Sequence, residues 1–123
     1  MANVLLINPP WTKKGGNIWK SVASCMPPQG LAVLGALLEQ KGHTVQILDT
    51  HAEHLSLEDL PKVLKQRYKK FDCVGLTGST MTISFSYKTA ELCKKIFPKV
   101  KIILGGVHAS SKPHEAIQSK WID

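Results

Sequence analysis

The chain has 123 residues, 43% of them hydrophobic and 20% charged, as expected for one globular domain. Sixteen basic against nine acidic residues give a formal net charge of +7, but the lysines are spread over predicted helix faces without interleaved aromatic residues, so we expect no nucleic-acid partner. No apolar run reaches the roughly 18 residues of a membrane span, and no basic segment precedes the first apolar run, so we expect a soluble, cytoplasmic protein.

The first part of the chain predicts a strand, a long loop and a helix. Residues 4–7 are aliphatic and β-branched, which is typical of a strand buried on both faces. Pro9 and Pro10 prevent the strand from continuing. We therefore predict a loop at residues 11–26, followed by a helix at residues 27–41 that ends before a glycine.

The same alternation of strands and helices continues to the end of the chain. The predicted elements are a strand at 44–48, a helix starting at Ser56 or Asp59, a central strand within 71–82, a helix starting at Thr82 or Ser84, and a strand at 100–104. Residues 108–113 predict a loop and residues 114–119 a short helix. The last residues, 121–123, resemble the start of a further strand that the chain does not contain.

This element order predicts the fold. Strands that alternate with helices, joined by connections long enough for crossovers, are typical of a doubly wound parallel α/β sheet. We predict one domain at residues 1–123, Rossmann-like (flavodoxin-like), with strand order 2-1-3-4 and a truncated fifth strand. The exposed edge of the fourth strand would then be covered by residues 121–123 folding back, or would pair with a second copy of the chain.

Two of the predicted strands end in small residues, which predicts a ligand site. The strand that ends at Leu76 runs into Thr77-Gly78-Ser79-Thr80, and the one that ends at Leu104 runs into Gly105-Gly106. Glycines let a ligand approach the backbone closely, and hydroxyls add hydrogen-bond donors. Ligands of open α/β sheets bind at the carboxyl ends of the strands. We therefore expect the site there, with Val107 and His108 beside it.

Other chemistries find little support in the motifs. There is no GxGxxG or GxxxxGK[ST] after a strand, which argues against dinucleotides and against NTP hydrolysis. A response-regulator receiver needs carboxylates at the positions of Asn8 and Thr77, so the sequence argues against a receiver domain. His51 and His54 follow Asp49, but we expect a polar loop there and predict no metal site.

Five motifs, in order, carry a family resemblance. They are Asn8-Pro9-Pro10, PPQGLAVL at 27–34, Lys41-Gly42-His43, VGLT at 74–77 and ILGGVHA at 103–109. In this order they resemble the amino-terminal cobalamin-binding domain of cobalamin-dependent radical S-adenosylmethionine enzymes. The resemblance extends over nearly the whole chain.

The resemblance implies where cobalamin would bind. The nucleotide tail would enter beside the third and fourth strands, with the corrin above their carboxyl ends. Ser79, Thr80 and Thr82 would line the channel of the tail, Gly105 and Gly106 would let it pass, and Asn8 and Pro9 would lie under the corrin. The full set of predicted cofactor-binding residues is Asn8, Pro9, Thr77, Ser79, Thr80, Thr82, Gly105, Gly106, Val107 and His108.

Two departures from related patterns shape the functional prediction. The DxHxxG motif, whose histidine replaces the lower axial base of cobalamin, is absent after the first strand, so binding would be base-off without a protein histidine; Asp49-Thr50-His51 follows the wrong strand. The CxxxCxxC of the radical domain is absent too, so we expect a non-catalytic fragment.

The resemblance also implies a parent enzyme. That parent, predicted to be a methyltransferase, would supply a catalytic radical domain as partner and would use S-adenosylmethionine and a 4Fe–4S cluster. The alternative is a vestigial structural module that packs on that domain and binds nothing.

Overall fold

The computed structural model describes residues 1–11 and 26–123, so most of the predicted loop at 11–26 lies outside the described residues. The strands are β1 (Asn3–Asn8), β2 (Thr44–Asp49), β3 (Cys73–Thr77) and β4 (Lys101–Gly105). The helices are α1 (Gln29–Gln40), α2 (Leu60–Arg67), α3 (Ile83–Ile96), α4 (Val107–Ser111) and α5 (Pro113–Ala116). None of these helices in the described part of the chain is long and apolar enough to cross a bilayer.

The four strands form one parallel sheet in the order β2-β1-β3-β4, which confirms the predicted fold class and strand order. β1 is central, and its side chains Leu5, Leu6 and Ile7 are buried because helices cover both faces of the sheet at this strand. In register, Asn8 at the end of β1 lies opposite Asp49 at the end of β2. The carboxyl ends of all four strands therefore meet at one edge, which we call the carboxyl edge.

The two faces of the sheet are covered to different extents. On one face α2 and α3 bury the main core, in which Leu64 is fully buried and Phe71 makes edge-on contacts with Tyr68 and Phe97. On the other face α1 packs over β1 and β2 through Leu31. On this second face Ile103 of β4 is 60% exposed. The α1 face of β3 and β4 is therefore open.

The leucine side chains of α1 are buried only in part. Leu31 is buried, but Leu34 is 44% and Leu37 is 53% exposed. The reason is geometric: α1 lies over β1 and β2, so the side of the helix that carries Leu34 projects over the open face instead of into the core.

The predicted loop at 108–113 is wrong, because residues 107–111 form α4 and Pro113 begins α5, which leaves only Lys112 between the two helices. Gly106 adopts φ +91° and ψ −179° and turns the chain directly from β4 into this short helix. The short helix predicted at 114–119 lies at Pro113–Ala116. Serines and glycines around these positions favour a loop locally, and tertiary contacts override that preference.

The end of the chain folds back on the outer edge of β4, which is the first of the two alternatives predicted for this edge. The backbone N–H of Asp123 donates to the carbonyl oxygen of Ile102 at 2.9 Å, and Oδ2 of Asp123 accepts the Ile102 N–H at 2.8 Å. Lys94 Nζ lies 2.6 Å from the same carboxylate oxygen. The hydrogen bond from Lys94 and that from Ile102 lower the pKa of Asp123 to about 2.

Candidate functional site

A cleft of about 380 Å³ opens at the carboxyl edge, on the α1 face of the sheet. Its walls come from β1, β3, β4 and the amino-terminal part of α1. The lining residues are Leu6, Asn8, Pro28, Gly30, Leu31, Leu34, Gly75, Leu76, Thr77, Ile103, Gly105 and Gly106. The volume falls within the range of roughly 300–1,000 Å³ that is usual for small-molecule sites, and the lining is mostly apolar, with Asn8 and Thr77 as its polar side chains.

Two glycines keep the floor of the cleft open. A Cβ on Gly75 would lie 2.7 Å from Cδ2 of Leu6, so this strand position has no room for a side chain without a shift of Leu6. A Cβ on Gly105 would meet nothing closer than the carbonyl oxygen of Leu76 at 3.8 Å. Gly105 therefore borders free space, and a ligand can reach the backbone at the end of β4.

Gly106 has a different role from its neighbour, because it packs against the protein itself. A Cβ there would lie 2.8 Å from the carbonyl oxygen of Gly78 and 2.9 Å from its nitrogen. The backbone conformation of Gly106, with φ +91°, is also one that other residues rarely adopt. The loops after β3 and β4 thus touch through their main chains, and this contact shapes the end of the cleft.

The predicted site residues divide into those that line the cleft and those that support it. Asn8, Thr77, Gly105 and Gly106 line it. Ser79, Thr80 and Thr82 lie in the turn between β3 and α3, outside the lining. Pro9 is buried beside the cleft, and Val107 is 67% exposed on α4.

In the turn between β3 and α3, Ser79 and Thr82 form hydrogen bonds with each other. The N–H of Ser79 donates to Oγ1 of Thr82 at 3.1 Å, and the two side-chain oxygens are 3.1 Å apart. Thr82 stands at the N-cap position of α3 but makes no side-chain cap hydrogen bond to that helix. This pairing fixes the shape of the turn.

His108 was predicted to lie in a loop beside the ligand site, and the loop is wrong, because His108 is the second residue of α4. It is 2% exposed, because α4 directs it inward against the turn between β3 and α3. Its Nδ1 lies 3.2 Å from Oγ1 of Thr80, and its Nε2 lies 3.4 Å from Oε1 of Glu115. The backbone N–H of His108 also donates to the carbonyl oxygen of Gly78 at 3.3 Å. His108 therefore supports the turn from behind.

Several lining residues were not predicted from the sequence. Gly75 gave the clearest signal, since an isolated glycine inside a buried strand often marks close approach of a ligand or of another backbone. The sequence contains no signal that places Gly30, Leu34 and Ile103 in a site, because their position in the cleft depends on how α1 lies across the sheet.

The described residues offer no alternative metal or thiol chemistry. Within residues 1–11 and 26–123, no group of three His, Cys, Asp or Glu side chains is placed to hold a metal ion. Burial raises the pKa of the Cys93 thiol to about 12 and also raises that of Cys73. Both cysteines are free, and their raised pKa values disfavour the thiolate that nucleophilic chemistry needs.

Comparison with known proteins places this cleft in a family context. The B12 binding domain family matches this sequence over residues 18–123. An uncharacterized methyltransferase of Pyrococcus horikoshii is 34% identical over 112 residues, covering 89% of this chain and 23% of the relative. The anaerobic magnesium-protoporphyrin IX monomethyl ester cyclase of Rubrivivax gelatinosus is 30% identical over 122 residues, covering 98% of this chain and 21% of the relative.

A solved structure has the same fold. The radical S-adenosylmethionine methyltransferase TsrM of Kitasatospora setae, determined with cobalamin and a 4Fe–4S cluster bound, superimposes with a TM-score of 0.72 at 20% identity, covering 94% of this chain and 22% of that one. This chain thus spans less than a quarter of each of these proteins. The family matches most of this chain, which confirms the predicted resemblance, and the chain belongs to the B12 binding domain family.

Proposed function

We propose that this chain binds cobalamin, with the nucleotide tail in the cleft between α1 and strands β3 and β4. The observation that carries the proposal is the cleft itself, which opens at the carboxyl edge over Gly75 and Gly105. Its apolar walls, including Leu31 and Ile103, suit a flat aromatic base, and the two glycines leave the backbone accessible.

The residues around the cleft suggest how the cofactor would be held. Asn8 and Pro9 would lie under the corrin, Thr77, Gly105 and Gly106 would border the tail, and the turn that carries Ser79, Thr80 and Thr82 would form the rim. Val107 and His108 would lie behind that rim. The bound cobalt would supply a carrier for a methyl group, while the residues of this chain bind and orient the cofactor.

Binding would be base-off and without a protein ligand to the cobalt. None of the described residues that line the cleft is a histidine. Two histidines make contacts elsewhere through a ring nitrogen: Nε2 of His51 lies 2.9 Å from the carbonyl oxygen of Pro9, and Nδ1 of His108 lies 3.2 Å from Oγ1 of Thr80. We therefore expect no histidine among the described residues to bind the cobalt.

We infer that the domain works within a larger radical S-adenosylmethionine enzyme that transfers methyl groups. The names of the matched methyltransferases, and the cofactors bound in TsrM, support this. The partner of the domain would be a catalytic radical domain in the same chain, with S-adenosylmethionine and a 4Fe–4S cluster. The cyclase relative shows that similar domains also occur in proteins named for another reaction.

Titration with hydroxocobalamin tests the proposed function. We expect the visible spectrum of the cofactor to change on binding, to a form without the benzimidazole ligand, and the cofactor to co-elute with the protein on gel filtration. The same titration is done with a longer chain that includes the radical domain. If neither chain changes the spectrum or retains the cofactor, the vestigial structural module is the better interpretation.

We also propose that the isolated chain self-associates through the outer edge of β4. Ile103 and Ile117, 60% and 62% exposed, border one apolar depression beside this edge. Asp123 covers the edge only at Ile102. An open strand edge next to an apolar surface favours pairing with a second copy.

Sedimentation equilibrium at several protein concentrations measures this association. The average mass should rise with concentration for the unmodified chain and less so for Ile117→Lys. Met81→Lys is the control, since Met81 is 92% exposed in the turn between β3 and α3. A constant monomer mass for the unmodified chain would show that Asp123 already protects the edge.

A further inference from the structure

Three consecutive residues at the end of β2 hold the loop that follows β1. The side-chain Nδ2 of Asn8 donates to Oδ1 of Asp49 at 3.0 Å, and the hydroxyl of Thr50 donates to the carbonyl oxygen of Asn8 at 2.7 Å. The ring Nε2 of His51 lies 2.9 Å from the carbonyl oxygen of Pro9. These contacts join segments about forty residues apart in the chain, because parallel pairing puts Asn8 opposite Asp49.

The chemistry of these contacts determines how the Asn8 amide and the His51 ring are oriented. A carboxylate only accepts hydrogen bonds, so the amide nitrogen of Asn8 must be the atom that faces Asp49. A carbonyl oxygen also only accepts, so Nε2 of His51 carries the hydrogen that it donates to Pro9. Oδ1 of Asp49 in turn accepts the backbone N–H of His51 at 3.2 Å, which ties the two halves of the arrangement together.

Burial and a ring contact give this arrangement rigidity. Thr50 is fully buried, and its carbonyl oxygen accepts the backbone N–H of Leu55 at 2.9 Å, which fixes the turn after β2. Trp11 stacks edge-on against His51, with ring centroids 6.2 Å apart. The loop at Asn8 and Pro9 is thus held by side chain, main chain and ring together.

We infer that Asp49, Thr50 and His51 are positioning residues that present Asn8 to the cofactor. Asn8 lines the cleft, and with its amide nitrogen bound to Asp49 its carbonyl oxygen Oδ1 is the atom left to accept a hydrogen bond. The matching ligand group is a donor, such as the primary amide side chains of a corrin. The inference rests on the proposed function, and it gives the Asp49-Thr50-His51 sequence a role other than metal or cobalt ligation.

Two pairs of variants, titrated with hydroxocobalamin and followed by visible spectroscopy, test the inference. His51→Ala removes the donor to Pro9, whereas the amide nitrogen of a glutamine in His51→Gln can replace it. Asp49→Ala removes the acceptor for Asn8, whereas Asp49→Asn keeps one acceptor oxygen. Since one hydrogen bond typically contributes about 1 kcal/mol, each alanine variant should bind about five- to tenfold more weakly. Each conservative variant should stay within about twofold of the unmodified chain.

The control is His54→Asn, which removes an exposed histidine from the same segment. Asparagine suits position 54 because His54 has φ +54°. Circular dichroism confirms that each variant is folded, and each pair tests the inference by itself, so one pair decides the result if the other fails to fold. Alanine variants that bind as tightly as the unmodified chain overturn the inference while the proposed function stands. An unmodified chain that does not bind overturns both.

Discussion

Gly105→Val is expected to weaken cofactor binding about 100-fold while the chain stays folded. Gly105 ends β4 on the floor of the cleft, and a Cβ there meets no atom closer than 3.8 Å. A β-branched side chain is compatible with a strand, and it would occupy space that the ligand needs. Forcing a ligand against added methyl groups costs up to about 3 kcal/mol, so affinity should fall about 100-fold.

The measurement is the same hydroxocobalamin titration, together with urea unfolding of the ligand-free protein. Gly105→Ala should give an intermediate loss of affinity. Lys101→Val is the matched control, since it adds a valine to the same strand at the end away from the cleft, where the lysine side chain is 72% exposed. Unchanged affinity in Gly105→Val would mean that the nucleotide tail does not pass the end of β4.

Gly106→Ala is expected to destabilise the fold strongly, although it adds only one carbon. The backbone at this position has φ +91° and ψ −179°, a region occupied almost only by glycine. A Cβ would also lie 2.8 Å from the carbonyl oxygen of Gly78, an atom that belongs to the backbone of the neighbouring loop. We expect the free energy of unfolding to fall by about 3 kcal/mol or more.

Gly42→Ala is the control for a glycine that has a positive φ but no close contact. Gly42 has φ +88°, close to the value at Gly106, but a Cβ there meets nothing within 4 Å. Backbone strain alone should therefore cost about 1 kcal/mol in Gly42→Ala. Urea unfolding measures both variants, and equal losses would show that the contact between Gly106 and Gly78 contributes nothing to stability.

These two predictions assign different roles to adjacent glycines. From sequence the pair reads as one motif, and both glycines were expected to let the nucleotide tail pass. The structure places Gly105 beside open space and Gly106 against main-chain atoms. Gly105 is thus the position at which binding can be tested without loss of the fold.

The sequence by itself determined the sheet and its carboxyl edge. The aliphatic run at residues 4–7 and the glycine after Leu104 are local signals, because strand burial and strand ends follow from side chains close together in the chain. Alternation of such strands with helices then leaves few possible topologies, and the predicted order matches the observed one.

Only the tertiary structure decided what surrounds that edge. His108 is buried because α4 turns it inward, and Asn8 is oriented by Asp49, a residue 41 positions away. The cleft exists because α1 lies over β1 and β2 and leaves Gly75 and Ile103 open. These features depend on how distant segments pack against each other, and hydrophobic periodicity within one segment carries no information about such packing.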